Sequence, residues 1–320
     1  MIDPNGIVFT NNRGDAMALP KLLVTLGDVA GIGPEVVAKA WPRLAEYCQP
    51  VVVGDSRFLP RDIPCVNPST ADLSGVTPGT VHAAAGRAAY DWLVYAIDEC
   101  LAGRADGIVT CPLHKEGLHA AGIAFPGHTE ILADRTGAAS HAMLLYDDDL
   151  PLAVAHVTLH RSLRSTFEHI RIESVLDKIR LLNAIVPKLT GTPARVGVAA
   201  LNPHASDGGL FGNEEAEIIA PAVALAKREG IDASGPIPSD AIFLPHNRVK
   251  FNGIVAMYHD QGHIAMKLLG GRRAVNVTAG LPIVRTSVAH GTAYDIVGKN
   301  LADESSLISA VRVAARLASR

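Results

Sequence analysis

The segment Tyr258-His259-Asp260-Gln261-Gly262, followed by Lys267, sets an imidazole and a carboxylate against an amine about two helical turns further on. Two other histidines close runs that read as buried strands: His160 in Val157-Thr158-Leu159-His160, and His204 in Asn202-Pro203-His204-Ala205. Three strand-end histidines this far apart in sequence suit a metal site assembled by the fold, because three neutral imidazoles hold a divalent cation and leave positions open for chemistry. Asp240 and Asp260 stand near such strand ends. Either could complete the coordination, orient a histidine from behind, or cap a turn.

A second group has the chemistry of anion binding. Gly127-His128-Thr129-Glu130 opens a helix whose first N–H groups either take an anion or receive Thr129 as an ordinary cap. Lys267, Asn276 and Arg285 are separated by the short strand-like pieces Ala274-Val275 and Pro282-Ile283-Val284, which would bring all three to one edge. Arg grips phosphate through two parallel hydrogen bonds and Lys adds a point charge, so the set suits a phosphorylated substrate; a solvated surface Lys is the alternative. The loop with Gly27, Gly31 and Gly33 lacks the dinucleotide-binding spacing, and Glu35 in the following first turn would repel a pyrophosphate. No Gly-Lys-Ser or Gly-Lys-Thr occurs, so phosphoryl transfer through a Walker loop has no support.

These side chains need a scaffold, and the hydrophobic pattern supplies an α/β one. The apolar run 21–26 leads through Gly27 to a helix opened by Gly33-Pro34-Glu35; Val51-Val52-Val53 repeats the strand, and a long amphipathic helix over 80–101 feeds the strand Gly107-Ile108-Val109-Thr110. That alternation means a parallel sheet wrapped by helices. The runs 142–146 and 152–157, joined by the acidic turn Asp147-Asp148-Asp149, read as a hairpin, so part of the sheet is antiparallel. Helices over 172–189 and 214–229, strands over 195–199 and 254–257, and a last helix over 305–318 that returns to cover the first domain complete the pattern.

With 320 residues, 48% hydrophobic and 19% charged, the chain can bury a large core and is not disordered. A formal net charge of −3 with dispersed Lys and Arg excludes the basic stripe that nucleic acid requires. Every apolar run is interrupted before the roughly 20 residues a membrane span needs. Cys48, Cys65, Cys100 and Cys111 lack zinc-ribbon spacing and read as reduced cytoplasmic thiols. Residues 1–16 are polar and read as a poorly ordered leader or as the result of a start codon placed too early.

The stretches Leu26-Gly27-Asp28-Val29-Ala30-Gly31-Ile32-Gly33-Pro34-Glu35, Gly127-His128-Thr129-Glu130, Asn202-Pro203-His204, Tyr258 to Gly262 and Gly280-Leu281-Pro282-Ile283-Val284-Arg285-Thr286-Ser287, in this order, resemble the 4-hydroxythreonine-4-phosphate dehydrogenase family from Leu19 onward. The resemblance implies two α/β/α domains of the isocitrate and isopropylmalate dehydrogenase kind with a mixed sheet. It implies a homodimer whose active site lies in the interdomain cleft at the interface. Residues 17–120 and 262–320 would form the cofactor side, and 121–261 the metal and dimerisation side. His160, His204 and His259 would be the ligands of a divalent metal (Zn, Mg, Co or Mn), completed across the dimer; His128, Thr129, Lys267, Asn276 and Arg285 would contact substrate. His290, Gly291, Thr292, Ala293 and Asp295 resemble the loop that holds the adenosine portion of NAD or NADP, which accounts for the missing dinucleotide fingerprint.

The resemblance further implies oxidation of a phosphorylated four-carbon hydroxy acid to a β-keto acid that decarboxylates, with Asp240, Asp260 and Lys267 as candidates for the group that takes the hydroxyl proton. Departures bear on the substrate. Asp28 stands where the biosynthetic members carry Glu, His263-Ile264-Ala265-Met266 replaces a more apolar stretch, and Ala289 replaces Asp. The first two resemble a second branch that acts on 4-phosphothreonate or 4-phosphoerythronate; a more remote branch oxidises aromatic dihydrodiols. The competing classes are a zinc hydrolase, which an open three-histidine site also suits, and a noncatalytic metal sensor.

Overall fold

Helices and strands alternate because apolar residues recur every second position in short runs and every third or fourth in long ones. The computed structural model describes residues 18–270 and 273–319, so the polar leader 1–16 lies outside the described residues. The strands are β1 (Lys21–Thr25), β2 (Gln49–Val53), β3 (Cys65–Val66), β4 (Gly107–Thr110), β5 (Ala142–Asp147), β6 (Leu152–His156), β7 (Val196–Ala199), β8 (Ala233–Ile237), β9 (Gly253–Ala256), β10 (Val275–Ala279) and β11 (Val284–Val288). They form one sheet in the order β3-β2-β1-β4-β11-β10-β5-β6-β9-β7-β8.

The expected α/β architecture with a mixed sheet is what the chain adopts. β3, β2, β1, β4 and β11 run parallel, as do β6, β9, β7 and β8. Between them β11-β10, β10-β5 and β5-β6 are antiparallel, so the two parallel sets point in opposite directions. The expected hairpin is the β5-β6 pair. β10 and β5 lie between the two sets and join them, and β10 and β11 are the last strands in sequence.

The helices are α1 (Gly33–Leu44), α2 (Ala83–Leu101), α3 (Lys115–Ala120), α4 (His128–Thr136), α5 (Leu163–Thr166), α6 (Ile172–Thr190), α7 (Ala220–Arg228), α8 (Ser239–Ile242), α9 (Pro245–Arg248), α10 (His259–Gly270) and α11 (Ser305–Ala318). α1 buries Val36, Val37, Ala40 and Leu44, a stripe one helical face wide. α11 packs on β11, β4 and α1, as the return over the first part of the sheet requires, and Thr286 Oγ1 donates to Ala310 O at 2.9 Å. The main core spans both sets of strands, and a smaller cluster with Leu145, Val154, Ile254 and Met266 lies beneath α10.

Three boundaries differ from the sequence expectation. α2 begins at Ala83, because Thr77 N donates to His82 Nε2 at 3.0 Å and Thr80 Oγ1 to Thr77 O at 2.8 Å, which holds 77–82 as a turn. The helix expected from 214 opens with a wide π turn, Glu215–Ile219, before α7; Pro221 has no N–H for the ordinary ladder there. β6 ends at His156 and β9 at Ala256, so His156 is the strand-end histidine and His160 belongs to the loop beyond.

All four cysteines are free, and burial pushes Cys48, Cys100 and Cys111 up to about 12 and Cys65 to about 11. Among the described residues no helix is long and apolar enough to cross a membrane.

Candidate functional site

The β6 and β9 ends and the first two turns of α10 bring four histidines together. His259 opens α10, and His263 and Lys267 follow at four-residue intervals, the spacing that aligns side chains along one helical face. His259 and His263 stack with ring centroids 3.8 Å apart and planes 11° apart. His263 Nδ1 lies 3.2 Å from His259 O and 3.1 Å from Nε2 of His156, which is buried with no partner on Nδ1. Gly262 makes this fit: a Cβ there would stand 2.3 Å from His156 Nε2.

His160 lies across from His259, 6.1 Å between centroids, a separation that two imidazoles binding one ion at about 2.0–2.1 Å can span. His259 Nδ1–H donates to Asp260 Oδ1 at 2.6 Å, which fixes the tautomer and leaves Nε2 as a lone pair for a cation. Burial, and then the charges of Lys115 and His259, lower the His160 imidazole. Burial first, and then His259, takes His263 down to about 4. Both stay neutral at ordinary pH, the form that ligates metal.

His204 is not brought to this pair within one chain. It is exposed, in a left-handed turn where His204, Ala205, Ser206, Asp207 and Gly208 have φ between 45° and 70°. Such a run of L-residues is disfavoured, and buried Glu215 holds it. Its Oε1 accepts from Leu201 N at 2.8 Å and Asn202 N at 2.7 Å, and its Oε2 accepts from Asn202 Nδ2 at 2.9 Å and from Ser206 Oγ. Among the described residues no three His, Cys, Asp or Glu side chains of one chain are close enough to share an ion. Asp240, in α8, is exposed and makes no hydrogen bond or ion pair with the histidines. Asp260 is engaged with His259.

Two of the residues expected to bind an anion, Asn276 and Arg285, sit on one face of the central strands. Asn276 pairs with Ser287 and Arg285 with Ile108 in register, so Asn276, Thr278, Arg285 and Ser287 share a face opposite Thr286 and α11. Both residues lie within strands rather than between short strand pieces. Arg285 is 3% exposed; Nη1 donates to Thr278 Oγ1 at 3.0 Å and Nη2 to Thr110 Oγ1 at 2.7 Å, while Nε has no partner. Burial lowers this guanidinium to about 10, with Glu130 opposing. No carboxylate pairs with it among the described residues. Burial and then the Arg285 charge push His128, at the first turn of α4, well below the usual imidazole range. The α4 N-terminus carries no side-chain cap, so the ordinary Thr129 cap is absent. Asn276 Nδ2 donates to Val288 O at 3.2 Å and its buried Oδ1 is unpartnered; Lys267 is exposed. A buried guanidinium with no carboxylate hydrogen-bonded to it among the described residues, beside unfilled hydrogen-bonding atoms, is chemically suited to receive an anion.

Beyond β11, residues 289–298 form the loop expected to hold a nucleotide. His290 Nδ1–H donates to Gly291 O at 3.0 Å and Nε2 is buried without a partner. Ile32 N donates to Thr292 O at 3.0 Å, and Tyr294 OH to Asp28 Oδ2 at 2.6 Å. Ala293 takes a left-handed φ of 46°, and Asp295 is exposed in the short turn Tyr294–Ile296.

His156 and Glu215, which the structure adds to the candidate site, carry no motif in the sequence, and His263 stands out there only as a departure from the family pattern. The four-residue rhythm of His259, His263 and Lys267 was a readable signal for His263; nothing in the sequence marks Glu215.

Residues 46–314 match the family described as pyridoxal phosphate biosynthetic protein PdxA. The 4-hydroxythreonine-4-phosphate dehydrogenase of Beijerinckia indica is 43% identical over 92% of this chain and 94% of its own length. The D-threonate 4-phosphate dehydrogenase of Bordetella bronchiseptica is 41% identical over 94% of this chain and 93% of its own. The crystal structure of a 4-hydroxythreonine-4-phosphate dehydrogenase from Klebsiella pneumoniae, 37% identical, superposes with a TM-score of 0.83 over 94% of this chain and 100% of the other.

Proposed function

The chain belongs to the pyridoxal phosphate biosynthetic protein PdxA family, and from that premise we propose a dehydrogenase, dependent on NAD or NADP and on a divalent metal, acting on a phosphorylated four-carbon hydroxy acid of the 4-hydroxythreonine 4-phosphate type. The observation that carries this reading is Arg285, a buried guanidinium with no carboxylate partner and with His128 close by. A phosphate dianion supplies what that group lacks. Lys267, Thr129 and Asn276 would complete its cradle.

His160 and His259 would hold the cation, with His204 supplied by a second copy of the chain. When bound, the metal would tether the substrate's hydroxyl and carboxylate, lower the hydroxyl's pKa and stabilise charge as carbon dioxide leaves the β-keto acid. A nicotinamide cofactor would take the hydride, with its adenosine portion on His290, Gly291, Thr292, Ala293 and Asp295. Of the proton acceptors, Asp260 is engaged by His259 and Asp240 stands apart. Lys267, exposed on the His259 face of α10, would take the proton only where it does not hold the phosphate. The chain would act as a homodimer in the cytoplasm, with 17–120 and 262–320 on the cofactor side and 121–261 on the metal side.

A second substrate, D-threonate 4-phosphate, is favoured by His263: a neutral imidazole beside His259 in place of the apolar stretch of the biosynthetic members, together with the 41% identical relative that bears this name. Steady-state assays of both phosphorylated acids, with chelator and with metal restored, separate the readings. We expect reduced nicotinamide to form with at least one, to stop with chelator and to return with metal. No reduced cofactor with either acid would sink the proposal.

A further inference from the structure

The glycine-rich segment 27–33 fails the dinucleotide pattern, yet its glycines are close-packed for a different reason. A Cβ on Gly31 would stand 2.8 Å from Thr292 O and 2.9 Å from Thr292 Cβ, so this glycine opens the space in which the 289–298 loop docks. Two bonds fasten the loop there, Ile32 N to Thr292 O and Tyr294 OH to Asp28 Oδ2. Asp28 is fully buried; its Oδ1 takes Ala30 N at 2.9 Å, and among the described residues Tyr294 is its one side-chain donor. A buried carboxylate needs such donors. The Tyr294 ring stacks on His114 with centroids 4.8 Å apart and planes 12° apart. Ala293, between the two anchored residues, is held in a left-handed conformation that a free loop would leave.

We propose that Asp28 and Tyr294, backed by His114, are positioning residues that fix the 289–298 loop in the shape that receives the cofactor, and so set cofactor affinity without taking part in the chemistry. This rests on the nucleotide-binding reading of that loop. Phenylalanine at 294 would fill the same space and keep the stack, but it would leave the Asp28 carboxylate without its side-chain donor.

The test compares full-length wild type, Tyr294→Phe and Asp28→Asn by three measurements: NAD and NADP binding by titration calorimetry, steady-state kinetics, and amide hydrogen exchange over 289–298 without cofactor. Tyr294→Phe is expected to raise the cofactor Kd and KM severalfold, to leave kcat and the substrate KM within about twofold, and to speed exchange in the loop; Asp28→Asn should move the same quantities in the same direction. Wild-type cofactor affinity and exchange in Tyr294→Phe would overturn the inference, even if Tm falls. Wild-type protein that binds neither NAD nor NADP would overturn it together with its parent reading.

Discussion

Arg285 shows how much one side chain can say about a ligand. Its charge stays in the sheet through two threonine hydroxyls and no carboxylate, which is tolerable for a guanidinium but leaves it open to a better partner. Lysine at 285 would keep a charge and lose the planar fork. We expect Arg285→Lys to lower kcat/KM about 10²-fold, mostly through KM, with little change in Tm; an unchanged KM for the phosphorylated acid would remove Arg285 from the substrate site. Asp260 works at one remove, through the His259 tautomer. Asp260→Ala should weaken zinc or cobalt binding about 10–100-fold in competition with a chromophoric chelator. Equal affinity in the variant would mean that the carboxylate merely caps the helix. Residues of this kind were legible because their types are scarce and their chemistry narrow. Glu215 was not, because a glutamate in a charged run looks solvated until the left-handed turn it holds is seen.

At the scale of elements, α10 carries the four candidate site residues His259, Asp260, His263 and Lys267 and depends on one glycine. Gly262→Ala improves helix propensity, yet the new methyl would press on His156 Nε2. The clash should dominate, lowering stability by about 1–3 kcal/mol in urea unfolding and weakening metal binding with it; a more stable variant with intact metal affinity would show that His156 moves freely.

α11 is tied to the far set of strands through Arg316, which donates to Asp148 in the β5-β6 turn and to Leu189 O at 2.8 Å. Burial raises the Asp148 carboxyl, but bonds from Arg316 and Tyr146 outweigh it and leave it below 3.8. The unfolded chain therefore takes up the proton first. The stabilisation is complete above that ordinary value and is lost as pH falls through the lower native one. With Arg316 40% exposed and its pair screened by solvent, Arg316→Ala should cost about 0.5–1 kcal/mol at neutral pH, and the gap from wild type should close in acid. A gap that widens on acidification would contradict the sign.

Element order and type were legible because periods of two and of three to four are strong signals. The helix start at Ala83, the π turn and the early end of β6 were hidden, since each follows from local hydrogen bonds or a proline rather than from hydrophobic spacing.

For the whole molecule, the exposed apolar side chains and the stranded histidine point the same way. Leu268 is 82% exposed and Leu210 72%, with Leu163, Phe167 and Val249 also uncovered. Surface of this kind favours self-association. His204, near Leu210, needs ligands from elsewhere if it is to hold a metal. Sedimentation should give about twice 33.6 kDa, and metal affinity should fall on dilution below the dimer dissociation constant. A monomer with undiminished affinity would refute the shared site.

The sheet order also constrains synthesis. β10 and β11 bridge β5 to β4, yet they come after the other nine strands in sequence. A nascent chain that has not reached residue 288 holds two partial sheets, each with a bare edge able to pair with another molecule. Translation stalled or truncated in the last segment would thus yield an aggregation-prone intermediate rather than a smaller folded protein.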